Sequence, residues 1–154
     1  MLHSVTKGKP MTIRLINISK QRVQSVDVNT PIISICDPRG IPPQIPNREN
    51  RPLLLLEFYP ADHAMPEDRP EEKMTEAKTK RVVDFVKAQK EAGHERIFVQ
   101  CGEGRIRSFT ICTMLEDYME DVQHDREEAC IKEGIIDRYT RNIMKSYLRK
   151  VFPL

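Results

Sequence analysis

The apolar residues of this chain recur with two different periods, and the order in which the periods alternate constrains the fold more than any other feature. Met11 to Asn17 alternates apolar with polar residues, which predicts a strand. Ile32 to Cys36 is a β-branched run closed by Asp37-Pro38, which predicts a second strand ending at a turn. Leu53 to Tyr59 is mostly apolar and bounded by prolines, the pattern of a buried central strand. The period then changes. Met74 to Ala92 reads as a helix with Val82, Phe85 and Val86 on one stripe and Gly93 as its stop. Arg96 to Gln100 returns to strand. From about Ser108, the residues Ile111, Cys112, Leu115, Tyr118, Met119 and Val122 lie on one helical face. A short helix is expected over Arg126 to Lys132, closed by Gly134. A last helix carries Ile136, Tyr139, Ile143, Tyr147, Leu148 and Val151.

Strands interleaved with helices predict an α/β fold: a mostly parallel central sheet flanked by helices. Eight of the eleven prolines lie between Pro38 and Pro70, so that region is extended loop apart from the Leu53 strand. No repeat or linker divides the 154 residues, and a single domain, 1–154, is expected.

Composition excludes several classes. Lys and Arg number 25 against 23 Asp and Glu, so neither a nucleic-acid coat nor an acidic tail is expected. No apolar run approaches the ~20 residues that cross a bilayer. The opening MLHSVTKGKPMTIRL has no signal-peptide pattern. The four cysteines, Cys36, Cys101, Cys112 and Cys130, show no zinc spacing. A reducing, cytoplasmic setting is the expectation. His63, His94 and His124 show no ligand spacing and read as surface residues.

In a parallel sheet covered by helices, ligands sit at the carboxyl ends of strands. The end to inspect is Gln100-Cys101, followed by Gly102-Glu103-Gly104-Arg105-Ile106-Arg107-Ser108. Only six glycines occur in the chain, and two of them fall in this loop. Glycines let a backbone curl so that successive N–H groups face one centre, and a helix N-terminus adds its positive dipole end. A thiol in that field is expected to give up its proton readily. The planar fork of Arg107 can hold two oxygens of a tetrahedral anion. Ser108 also suits an N-cap.

Cys101, five residues, Arg107 and Ser108, with Gly104 between, resemble the C-x-x-G-x-x-R-S signature of cysteine-dependent protein tyrosine and dual-specificity phosphatases. The order of elements is similar to the small dual-specificity type, with its compact bacterial and phage relatives. The resemblance covers about residues 11 to 150, though only the loop is motif-grade. It implies a hydrolase of phosphate monoesters with Cys101 as nucleophile and a phosphocysteine intermediate. Arg107 would bind the phosphoryl group, Ser108 would stabilise the departing thiolate, and Gly102, Glu103, Gly104, Arg105 and Ile106 would supply backbone amides. It implies no cofactor and no metal. The partner would be a phosphorylated protein or other phosphoester, with no nucleic acid and no membrane span, and the protein would be a monomer. Gln100 departs from the family, which usually has His before the Cys. Arg105 adds a cation that, in relatives acting on inositol lipids, accompanies extra negative charge on the substrate. A disulfide between Cys36 and Cys101, as in some relatives, is a further implication; a core role is the simpler reading of Cys36.

The general acid must be a carboxylic acid near the loop. Tyr59-Pro60-Ala61-Asp62 resembles the aromatic-Pro-Asp loop of tyrosine phosphatases with one residue inserted, which favours Asp62. Asp68, 33 residues before Cys101, is the second candidate and Asp37 the third. Two rival readings stand beside the phosphatase. One is a phospho-group binding module without turnover. The other is a rhodanese-type sulfurtransferase, which the five-residue gap to Arg107 disfavours.

Overall fold

A computed structural model describes residues 12–63, 69–129 and 133–153. Nine strands and α-helices follow one another: β1 (Ile13–Ser19), α1 (Lys20–Val23), β2 (Ile32–Cys36), β3 (Leu53–Glu57), α2 (Glu76–Glu91), β4 (Arg96–Cys101), α3 (Arg107–Tyr118), β5 (Val122–His124) and α4 (Arg138–Val151), with short 3-10 turns at Arg48–Asn50 and Pro70–Glu72. The five strands form one sheet in the order β3-β2-β4-β1-β5, and every pairing is parallel. The α/β architecture is the expected one, a central sheet flanked by helices.

Period-2 alternation divides the strand residues between two cores. Ile13, Leu15, Ile33, Ile35, Ile97, Val99 and Cys101 face α2, α3 and α4, where Val82, Val86, Ile111, Leu115, Met144 and Leu148 meet them. Ile16, Ile18, Ile32 and Phe98 face the other way, against Val23, Val26 and Ile45. That second face is covered by a one-turn helix and loops. The helix α1 is capped by the Ser19 hydroxyl, which accepts from the Arg22 N–H.

Four expectations change. The Leu53 strand is an edge strand beside β2, shorter than expected, and Leu55 is 40% exposed. An apolar run bounded by prolines cannot distinguish a sheet's centre from a prolined edge. The helix α3 stops at Tyr118, and Val122 belongs to β5, because the positive φ of Asp121 turns the chain. Arg126 is irregular and residues 127–129 are bends rather than helix, and the rest of the Arg126–Lys132 expectation lies outside the described residues. His124 is buried within β5, not on the surface. Among the described residues, no helix is long and apolar enough to cross a membrane.

Candidate active site

The strand β4 lies at the centre of the sheet, and its last residue is Cys101. The Cys101 side chain is 3% exposed, and its Sγ lies 3.1 Å from the Ser108 Oγ. Ser108 is fully buried and sits one residue inside α3. It is therefore not the N-cap. Ile106 holds that position, with no side-chain cap. The Ser108 hydroxyl is left to face the thiol.

The loop between them is pinned by its carbonyls. The Gly102 carbonyl accepts from the Lys20 N–H at 2.9 Å, and the Gly104 carbonyl from Asn17 Nδ2 at 2.7 Å. The Arg105 carbonyl accepts from the Ile135 N–H at 2.9 Å. The Ile106 carbonyl accepts both the N–H and the Oγ1–H of Thr110, at 2.8 and 2.7 Å. No peptide among the described residues is cis. A trans peptide directs its N–H opposite its C=O, so the amides of Glu103, Arg105, Ile106 and Arg107 turn away from these partners. Such an arrangement, next to the start of α3, suits an anion.

The two loop glycines are not equivalent. Gly104 has φ +72, and a Cβ there would lie 2.6 Å from the backbone of Ile18. Gly102 has open space around it. Glycine is required at the first and not at the second.

Arg107 donates from Nη1 to Asp37 Oδ1 at 2.8 Å and to the Phe58 carbonyl at 2.7 Å. Both bonds use one nitrogen. The Nε–Nη2 edge, the fork that can grip two oxygens, has no partner among the described residues. Asp37 is thereby engaged with the cation rather than placed as an acid beside the thiol. Asp62 is exposed, and it lines a cavity of about 180 Å³ together with Pro60, Cys101, Arg105, Ile106 and Arg107. The structure thus brings Cys101, Arg107, Ser108 and Asp62 together. Asp68 lies outside the described residues.

Comparison with family models, with curated proteins and with solved structures finds no match.

Gln100 projects to the sheet face opposite Cys101. It is 1% exposed, accepts from the Ser34 hydroxyl at Oε1, and donates to the Ile35 carbonyl at 3.4 Å. Its polar atoms are used inside the sheet. Arg105 is exposed, with Nε 4.0 Å from the Glu103 carboxylate, which offsets part of its charge. Among the other thiols, Cys36 ends β2 two residues past the Ser34–Gln100 pairing, so the carboxyl ends of β2 and β4 are neighbours. Cys36, Cys101 and Cys112 are all free. Burial, then the Glu57 carboxylate, pushes the Cys36 thiol up, and burial pushes Cys112 well up. Neither is an activated nucleophile.

Sequence reasoning missed four supports, Asn17, His124, Asp137 and Gly134. Asn17 and His124 lie beneath Gly104, and Asp137 lies beside the Asp62 loop. Gly134 was read only as a helix stop. A Cβ there would lie 2.5 Å from the Arg105 carbonyl and 2.3 Å from the Phe109 ring, so glycine lets this segment lie against the loop. The one signal available is that Asn17 falls on the strand parity of the apolar Ile13 and Leu15.

Proposed function

We propose that the chain is a cysteine-dependent phosphatase of phosphate monoesters, of the dual-specificity type. The observation that carries this reading is the thiol of Cys101 at 3.1 Å from the Ser108 hydroxyl, in one cavity with Arg107 and Asp62. The Cys101 thiolate attacks phosphorus, the S–P bond forms, and the ester P–O bond breaks. Asp62 gives its proton to the departing oxygen. Water then attacks phosphorus and returns a proton to Asp62. The S–P bond breaks, and the Ser108 hydroxyl donates to the released thiolate. The loop amides and the Nε–Nη2 edge of Arg107 hold the charge that develops on the equatorial oxygens.

The alcohol side of the substrate also has a place. Pro60, Asp62 and Ile106 line a second recess of about 330 Å³, completed mainly by Ile135, Ile136 and Arg138. Asp62 lines both spaces, which supports its role as the acid for an ester oxygen held between them. A mostly apolar recess there favours an aromatic or aliphatic alcohol, as in phosphotyrosine, over a polyphosphorylated one. Arg105, partly offset by Glu103, adds little to the case for a polyanion.

The test is hydrolysis of an aryl phosphate by the purified chain. Turnover that vanadate inhibits and that Cys101→Ser abolishes supports the reading. Unchanged turnover in Cys101→Ser rejects it. Tight phosphate-ester binding without turnover selects the binding-module reading, and thiosulfate turnover without phosphate release selects the sulfurtransferase.

A further inference from the structure

We propose that Asp137 is a positioning residue that fixes the Asp62 loop against the Cys101 cradle; this rests on the phosphatase reading above. Asp137 lies outside the motif, 36 residues beyond Cys101 in the chain, yet it is only 4% exposed. A buried carboxylate must be met by donors. Two of its donors are local: at the N-cap of α4, Asp137 accepts from the Thr140 N–H at Oδ1 (3.3 Å) and from the Thr140 hydroxyl at Oδ2 (3.0 Å). The third is not local. Oδ2 also accepts the N–H of Ala61 at 2.9 Å, across 76 residues of sequence.

The other side of Asp137 reaches the cradle. Its own N–H donates to Thr110 Oγ1 at 2.8 Å, and Thr110 Oγ1 donates to the Ile106 carbonyl at 2.7 Å. One continuous path of hydrogen bonds therefore runs Ala61, Asp137, Thr110, Ile106. The residue at one end precedes the acid, and the residue at the other belongs to the anion loop. An N-cap needs one side-chain oxygen, and Ser or Thr would serve. The reach to Ala61 needs a longer side chain with a second oxygen. That surplus over the capping requirement is what marks Asp137 as more than a helix start. The Asp62 side chain itself is exposed, so its place over the cavity depends on how its backbone is held.

Two substitutions break the same contact from opposite sides. Asp137→Ser keeps a capping oxygen for α4 but is too short to reach Ala61. Ala61→Pro removes the amide donor from the loop side, and its ring Cδ pushes the Asp137 carboxylate away from residue 61. The Pro60 carbonyl accepts from the His63 N–H at 3.1 Å, which makes residue 61 the second residue of a turn, where proline is favoured. The measurement is kcat and KM on two phosphate monoesters: 4-nitrophenyl phosphate, with a good leaving group, and an alkyl phosphate, with a poor one. Misplacing the acid matters only where the departing oxygen needs a proton. Both variants are expected to lose about tenfold or more in kcat on the alkyl ester and less than about twofold on the nitrophenyl ester, with KM little changed. Equal losses on both esters, or no loss in Ala61→Pro, would overturn the positioning role while leaving the phosphatase reading intact. A wild-type protein that hydrolyses neither ester overturns both together.

Discussion

Asn17 bridges Gly104 and His124 beneath the loop between Cys101 and Arg107. Its Nδ2 donates to the Gly104 carbonyl at 2.7 Å, and its Oδ1 lies 2.7 Å from His124 Nε2. A carbonyl can only accept, so the amide orientation follows, and His124 must carry its proton on Nε2. Nδ1 is then the acceptor for the Thr113 hydroxyl at 3.2 Å. All three bonds lie in or near the core, with Asn17 fully buried. Removing the amide strands buried polar atoms, which costs about 1–3 kcal/mol. Asn17→Ala is therefore expected to lower the thermal midpoint by several degrees and to reduce phosphate-ester hydrolysis. Calorimetry and a single-substrate assay check this; an unchanged midpoint would contradict it.

The same network gives a pH dependence with a definite sign. Burial, and secondarily the Arg126 guanidinium, holds His124 down at about 4, against an ordinary 6.5, while Glu116 and Asp125 pull it upward. The folded state keeps the ring neutral, and the unfolded chain takes up a proton below 6.5. The contribution is thus fully present above pH 6.5 and is lost as pH falls from 6.5 toward 4. Thermal midpoints are expected to fall across that window. His124→Gln, which cannot be protonated, is expected to show a shallower fall. Identical slopes in the two proteins would remove His124 as a cause.

Gly104→Ala and Gly102→Ala are expected to differ sharply. At Gly104 the positive φ costs about 1 kcal/mol and the new Cβ meets the Ile18 backbone at 2.6 Å, which nothing flexible can relieve. At Gly102 the Cβ enters open space. The first variant is expected to lose most activity and several degrees of stability, the second little of either. Parallel assays and melts of the two variants decide it.

The glycine contrast marks how far the sequence could be read. Periodicity revealed the strands β1 to β4 and the helices α2 to α4, because each buries a continuous apolar stripe. The motif brought out Cys101, Arg107 and Ser108, because their spacing around one loop is itself the geometry. The edge position of Leu53–Glu57 was hidden, since strand order depends on which strands pair and not on composition. The three-residue β5 was hidden because Val122 also completes a helical stripe. Asn17 comes from β1, His124 from β5, and Gly134 and Asp137 from the segment before α4, and no sequence spacing links them to the loop they support. Gln100 stands where the resembled family usually has His, but strand alternation turns its side chain to the sheet face opposite Cys101, where it bonds Ser34 and Ile35.

Asp37 is expected to act through Arg107. Its carboxylate and the Phe58 carbonyl occupy Nη1, which leaves the opposite edge of the guanidinium directed for use. Asp37→Ala frees the side chain to sample other rotamers. A loss of roughly tenfold in kcat/KM is expected, shared by good and poor leaving groups, because an oxygen-binding cation serves both. Asp37→Asn keeps an accepting oxygen and is expected to lose less. A loss confined to poor leaving groups would instead make Asp37 the acid.

The central claim is that Cys101 becomes covalently phosphorylated. The most direct test mixes the protein with an aryl phosphate, quenches the reaction in acid within milliseconds, and maps phosphate by mass spectrometry. Phosphate on the peptide containing Cys101, absent from Cys101→Ser and rising before steady release of inorganic phosphate, is the expected result. Steady hydrolysis with no phosphorylated Cys101 at any quench time would contradict it.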